Sequence, residues 1–303
     1  MNKKTTPLAA YIYLHIAVLA YGFTAILGAL IHISPMALVW WRLIMTLVAL
    51  MFFFRPRLSE IIKYRSYWPM MALTGVIIAL HWVCFYTSIK IANASIAVVV
   101  LSVMPFFTSI LDPLINKSKF QIQQMVVALL IIPGMALIFN NTAMDMQAGV
   151  WVGILAAFLS SIYTVLSKKL VDNLPVKMLS FVQLAFGLII ITLLLPLFKG
   201  LGWLEIFVPT GNDWIYLIVL SVVCTAMAFV FTAIALKALT PFIVNLSINL
   251  EPVYGVILAI IILHEDKELN SGFYLGMSIL LAAVFLYPLS KNYKKKKLYG
   301  LGS

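Results

Sequence analysis

Glu251 and Pro252 stand side by side in "NLEPVYG" (Asn249–Gly255), in the middle of a segment otherwise as apolar as lipid. A charged side chain near the centre of a bilayer costs about 2.5 kcal/mol or more, so each one is a candidate for contact with a substrate or an ion. Glu251 is central in its apolar run, Arg42 lies about a third of the way in from one end of its run, and Asp112 sits beside Pro113 close to a boundary. Asn245 and Asn249 are four apart and Pro252 follows three later, so one helix face carries two amides and a helix breaker. Ser247, Glu251 and Tyr254 fall on the adjacent stripe. Polarity of this density is expected to face a cavity, the competing reading being hydrogen bonding between helices. Arg42 is a candidate ion-pair partner of Glu251, and equally a candidate interfacial anchor beside the two tryptophans of "WWRL". Burial of Glu251 would favour its neutral form and a nearby arginine its ionised form.

His81, in "ALHWVCFYTS", has Trp82 and Tyr86 sharing a face one turn apart, which makes His81 and Tyr86 candidates for substrate or proton contact; a lone histidine among apolar residues is also a common packing residue. Tyr21, Thr24, Ser161 and Tyr163 are further candidate wall residues. Cys84 and Cys224 both lie inside apolar spans and read as small core residues, not as a disulfide or metal pair. There is no glycine loop of the Walker type, no His, Cys and carboxylate cluster at metal-ligand spacing, and no serine with a base and an orienting acid. The chain is therefore not expected to be an enzyme or to need a cofactor.

The elements that must position these residues are transmembrane helices. The chain is 63% hydrophobic and 10% charged, with a mean hydropathy of +1.06. Crossing roughly 30 Å of hydrocarbon takes about 20 mostly apolar residues, and ten such runs are present: Leu8 to Ile31, Pro35 to Phe54, Trp68 to Ile89, Ala94 to Ile115, Gln121 to Phe139, Gly149 to Leu166, Val176 to Phe198, Trp214 to Leu236, Pro241 to Leu263 and Gly272 to Leu289. The breaks are short, so no soluble domain is expected between helices. The first run follows "MNKK" but is too long for a secretory signal and lacks a clear cleavage site. With the N-terminus in the cytoplasm, 17 of the 21 Lys and Arg fall on that side, including Lys294 to Lys297. The net charge of +11 then reports topology, both termini cytoplasmic, and not nucleic-acid binding. Lys90 and Lys237 sit at helix ends, where they can snorkel.

Ten spans divide into two sets of five, and an odd number makes the second set enter the membrane from the opposite face. Lys90 precedes Pro105 by 15 positions and Lys237 precedes Pro252 by the same 15, the two sets lying 147 apart. At an offset of 140, Thr24 falls on Thr164 and Pro35 on Pro175. Proline inside a helix removes a hydrogen bond and frees a carbonyl. Breaks at matching depths, with Ser102 in the turn before Pro105, point to a central substrate path. Glu251 has Met104 as its counterpart, so matched prolines would shape the cavity and one glutamate would make it one-sided.

"AYGFTAIL" followed by "SPMALVWWRL", and "NLEPVYGVILAIIILHE" leading into "NSGFYLGMSILLAAVFLY", resemble the EamA family of the drug/metabolite transporter superfamily over nearly the whole chain. The most specific parts are the pair Glu251 and Pro252 and the glutamate closing that helix, Glu265; Arg42 matches an arginine often found in the second helix of each repeat. The second half departs from this with Val182 or Gln183 at the place of Arg42, and "INKSK" stands where a first-half counterpart of Glu265 would be. The resemblance implies an all-α integral membrane protein of two inverted five-helix repeats around a central cavity, working by alternating access and exporting amino acids or similar small metabolites. The organisation expected is a first repeat over residues 1–140, a second over 141–290 and a basic cytoplasmic tail over 291–303. The expected partners are a small-molecule substrate and the lipid bilayer of the inner or plasma membrane, with a homodimer left open. Rival readings are a carrier of lipid or lipid-linked cargo and a scaffold that only packs helices.

Overall fold

A computed structural model describes residues 6–282 of the chain. Among these residues nine helices are long and apolar enough to cross a membrane: α1 (Pro7–Leu30), α2 (Pro35–Phe54), α3 (Arg65–Ile91), α4 (Ala94–Asn116), α5 (Ile122–Asn141), α6 (Met144–Asn173), α7 (Val176–Gly200), α8 (Asp213–Ala238) and α9 (Pro241–Leu263). A shorter apolar helix, α10 (Ser271–Ala282), is the described part of the tenth span; the remainder of that span and the basic tail lie outside the described residues.

Local chemistry sets the helix starts. The Thr6 hydroxyl accepts from Ala9 N ahead of α1, Asn93 Oδ1 accepts from Ile96 N at 2.8 Å ahead of α4, and Thr240 accepts from Ile243 N at 3.3 Å ahead of α9. Each satisfies an amide that the first helical turn leaves without a partner. The largest departure from the expected spans is α6, which runs to Asn173 instead of ending at Leu166. The helix continues past its apolar stretch because Lys168 Nζ donates to Leu236 O and Lys169 Nζ to Ile115 O, each at 2.9 Å. These ammonium groups reach the end of the bundle along apolar stems.

Two helices break in mid-membrane. In α4 a 3-10 turn at Leu101–Val103 separates two α segments, the second opening with Met104 and Pro105. In α9 the α segment ends at Ile248, and a second one opens with Glu251 and Pro252. Proline at the first turn of a helix forfeits no hydrogen bond, so both prolines start new segments and do not distort old ones.

The packing interchanges the halves. α1 packs on α8 as α6 packs on α3; α1 packs on α9 as α6 packs on α4; α2 packs on α7, and α4 on α9. Each pairing maps onto its mate when the first five helices are exchanged with the second five, so the fold is two inverted five-helix repeats. Since lipid is as apolar as leucine, burial alone does not drive these contacts, and close approach matters. A Cβ added at Gly28 of α1 would overlap the Tyr86 ring, so only glycine lets that ring, on α3, lie against α1.

Just past α9, the buried Glu265 carboxylate accepts from Ala94 N (3.0 Å) and Ser95 N (2.9 Å), at the N-terminus of α4. It satisfies two unpaired amides and opposes the positive end of the helix. Glu265→Ala is expected to cost about 2 kcal/mol, measured as a lower melting temperature in detergent, with Glu265→Gln recovering less than half because it lacks the charge.

Candidate functional site

α1, α2, α3, α4, α6, α8 and α9 converge on a cavity of about 80 Å³, room for on the order of six waters. Its wall carries the repeat. Thr24 and Thr164 both line it and are 140 positions apart; Trp82 and Phe229, Phe85 and Thr232, Leu101 and Ile248, and Met104 and Glu251 line it in pairs 147 apart. The 3-10 turn of α4 ends at Val103 and the break of α9 covers Asn249 and Leu250, which places Met104 and Glu251 at the start of fresh helical segments on that wall.

The polar groups on the wall differ in how fully they are paired. Arg42 is 1% exposed and held from three sides: Nε donates to Thr225 Oγ1 and Nη1 to Tyr86 Oη, both at 2.7 Å, while Cζ lies 4.0 Å over the Trp82 ring. A guanidinium sandwiched in this way still has N–H donors free on its remaining edge. The Thr225 acceptor sits in a π-helical stretch of α8, Val222–Met227, and its own hydroxyl donates to Leu220 O at 2.6 Å. π turns of this kind redirect side chains and recur at functional sites. His81 Nδ1 donates to Ala156 O at 2.8 Å, which puts a proton on Nδ1 and leaves Nε2 without a partner among the described residues. Tyr21 Oη and Thr232 Oγ1 are 2.8 Å apart. The Thr24 hydroxyl is buried and unpaired. Glu251, 5% exposed, forms no hydrogen bond or ion pair among the described residues.

Of the residues singled out in the sequence, Glu251, Arg42, His81, Tyr21, Thr24 and Tyr163 are brought together on the wall. Others are not. Asn245 Nδ2 donates to Thr108 Oγ1 at 2.7 Å and its Oδ1 accepts from Thr164 at 3.1 Å; Asn249 Nδ2 donates to Ser102 O at 2.9 Å. Both amides join α9 to its neighbours, the interhelical alternative, because their partners on α4 and α6 lie within reach while the wall is one stripe further round. Ser102 contributes its carbonyl, Pro105 and Pro252 lie beside Met104 and Glu251 and off the wall, and Tyr86 stands behind Arg42 as its acceptor. Ser161 donates to Met104 O and Ala157 O, and its neighbour Ser160 is the one on the wall.

Two expectations for Arg42 are overturned. It forms no ion pair with Glu251, since Thr225, Tyr86 and Trp82 hold its head group, and it is no interfacial anchor, being buried while Trp40 and Trp41 bond separately to Thr192 and Phe207 O. In the second half, Gln183 is the polar residue at the matching place: its Nε2 donates to Thr74 at 2.9 Å and Ser167 at 3.1 Å. Asp112 stays at the end of α4, accepting from Asn116 and Ser118. Thr225, Thr232 and Ser160 were not legible as polar wall or support residues from local pattern. The 147 spacing reaches two of them, from Ile78 to Thr225 and from Phe85 to Thr232.

The profile of the EamA-like transporter family matches the chain twice, over residues 8–140 and 147–298. An uncharacterized transporter of Clostridium kluyveri is 24% identical over 214 residues, 66% of this chain and 66% of its own length. Another, from Synechocystis sp., is 23% identical over 234 residues, 74% of this chain and 66% of its own length. A third, from Haemophilus influenzae, is 25% identical over 142 residues, 46% of each chain. The chain thus spans no more than about two thirds of the length of these relatives. A crystal structure at 17% identity superposes with a TM-score of 0.71, covering 94% of this chain and 98% of its own, which speaks for the fold.

Proposed function

The chain belongs to the EamA-like transporter family and is a multi-pass membrane protein, and from that premise we propose that it exports small zwitterionic metabolites, amino acids above all, by alternating access through the central cavity. One observation carries the reading: Arg42 and Glu251 face the same cavity without neutralising each other. A carboxylate on the free edge of the guanidinium and an ammonium on Glu251 would complete both, and a solute with the two charges a few ångströms apart supplies both at once. Tyr21, Thr24 and His81 Nε2 supply further hydrogen-bonding groups along the same wall. A lipid carrier would gain nothing from a guanidinium and a carboxyl that face one cavity without pairing, since polar groups inside the membrane are costly.

We place both termini in the cytoplasm of the cell membrane, supported by the concentration of Lys and Arg in the loops and tail on that side. The expected result of counterflow in proteoliposomes against a panel of labelled amino acids is saturable exchange of small neutral members, with little exchange of the corresponding amines or carboxylic acids that carry one charge only. Absence of saturable flux across the panel would count against this function, and equal flux of the singly charged analogues would count against the roles given to Arg42 and Glu251.

A further inference from the structure

Inverted repeats offer a cavity two symmetry-related exits, and the contacts at the two ends of this one are chemically unlike. Toward the face where α4 and α6 end and α9 begins, the seal is Thr108, Asn245 and Thr164, joined in a chain at 2.7 and 3.1 Å. The same spacings carry Asn245 back to Val98, Thr164 back to Thr24 and Thr108 forward to Gly255. The symmetry-related positions toward the opposite face are therefore Thr24, Val98 and Gly255, where a Cβ added to Gly255 would meet Val98 Cγ2 at 3.2 Å and the Thr24 hydroxyl has no partner among the described residues.

The difference extends along the helices. α6 is tied to α4 and α9 by Ser161 to Met104 O, Asn116 to Val165 O and Lys169 to Ile115 O, as well as by Thr164 to Asn245. Among the described residues no hydrogen bond joins α1, the counterpart of α6, to α4 or α9. α4 and α9 are themselves bonded at three depths, by Glu265 to Ala94 and Ser95, Asn249 to Ser102 O, and Asn245 to Thr108. They come from different repeats, so rocking of one whole repeat against the other would have to break all three.

We infer that α4 and α9 move as one unit, that Thr108, Asn245 and Thr164 form the gate toward the N-terminal face, and that the symmetry-related gate of Thr24, Val98 and Gly255 opens without breaking any side-chain hydrogen bond. The resting protein accordingly favours opening to the far face, and access from the N-terminal face is the step held back. For an exporter oriented as proposed above, this guards the cytoplasmic entrance; the orientation rests on that reading, but the asymmetry does not.

The test needs no substrate, so its failure is separable from failure of the proposed transport function. Ser160, on the cavity wall, is replaced by cysteine in a chain whose Cys84 and Cys224 are alanine, and a membrane-impermeant thiol reagent is applied from each side in sealed vesicles of known orientation. Asn245→Val removes both bonds of the gate while Thr108 and Thr164 keep their in-helix acceptors, Met104 O and Ser160 O. Labelling from the N-terminal face is expected to rise about three- to tenfold, the effect of one or two interhelical hydrogen bonds in a membrane. Val98→Asn, which offers Thr24 a partner, is expected to lower labelling from the far face by a similar factor. Unchanged labelling from the N-terminal face in folded Asn245→Val, or a change of equal size from both faces, overturns the assignment. If Asn245→Val does not accumulate in the membrane, Thr164→Val carries the same test with the same outcomes.

Discussion

Glu251→Gln is expected to lower saturable exchange of a zwitterionic substrate at least tenfold while leaving the melting temperature unchanged or raised. Among the described residues the carboxyl has no hydrogen bond or ion pair to lose, so its replacement by a neutral isostere strands no partner. What would be lost is the contact proposed above with a substrate ammonium. A hydrogen bond to a charged group is worth about 1.5–3 kcal/mol, which converts to roughly ten- to a hundredfold in affinity or rate. Counterflow and a thermal melt on the same preparation check it. A scaffold that merely packs helices would give the reverse pattern, altered stability with no defect in flux. Transport by Glu251→Gln at the normal rate and with the normal pH dependence would remove the role assigned to this residue.

Arg42→Lys is expected to cost both transport and stability. Lysine keeps the charge but cannot donate in the directed pattern that reaches Thr225 and Tyr86, nor lie flat 4.0 Å over the Trp82 ring. Two charge-assisted hydrogen bonds and the cation–π contact are lost in part, so a fall of about 2–4 kcal/mol in stability is expected, together with at least a tenfold loss of exchange as the carboxylate clamp is disordered. Thr225→Val should reproduce a smaller share of both effects, because it removes one support and leaves the charge and the ring. The measurements are again melting temperature and counterflow. Full transport in Arg42→Lys would show that a point charge suffices and that the fork geometry is irrelevant to recognition.

Much of the architecture was legible in the sequence because lipid imposes a simple rule: every backbone group must be bonded within the segment, so apolar runs of about 20 residues read directly as helices. The repeat was legible because Lys90 and Pro105 keep the spacing of Lys237 and Pro252. Ends were less so. α6 outruns its apolar stretch by about two turns because Lys168 and Lys169 find carbonyls on α8 and α4, partners that no local pattern names.

The candidate site divides along the same line. Local pattern singled out Glu251, Arg42 and His81 by the cost of polarity inside lipid, and it also singled out Asn245, for which that cost is met by Thr108 and Thr164 on neighbouring helices, and Asn249, whose Nδ2 is met by Ser102 O while its Oδ1 is not. Cost identifies which side chains need a partner and is silent on whether the partner is protein or substrate. By itself the sequence determined ten spans, their division into inverted halves, and the short list of groups too polar for lipid, since these follow from hydropathy, helix geometry and spacing along the chain. Only the tertiary structure decided that Arg42 is held by Thr225, Tyr86 and Trp82 while Glu251 is left open to the cavity, and that Asn245 is bonded to Thr108 and Thr164 while the symmetry-related Val98 and Gly255 meet in apolar contact. Those outcomes depend on which helices meet and at what rotation, to within the reach of a hydrogen bond, and spacing along one chain does not carry that information across to another helix.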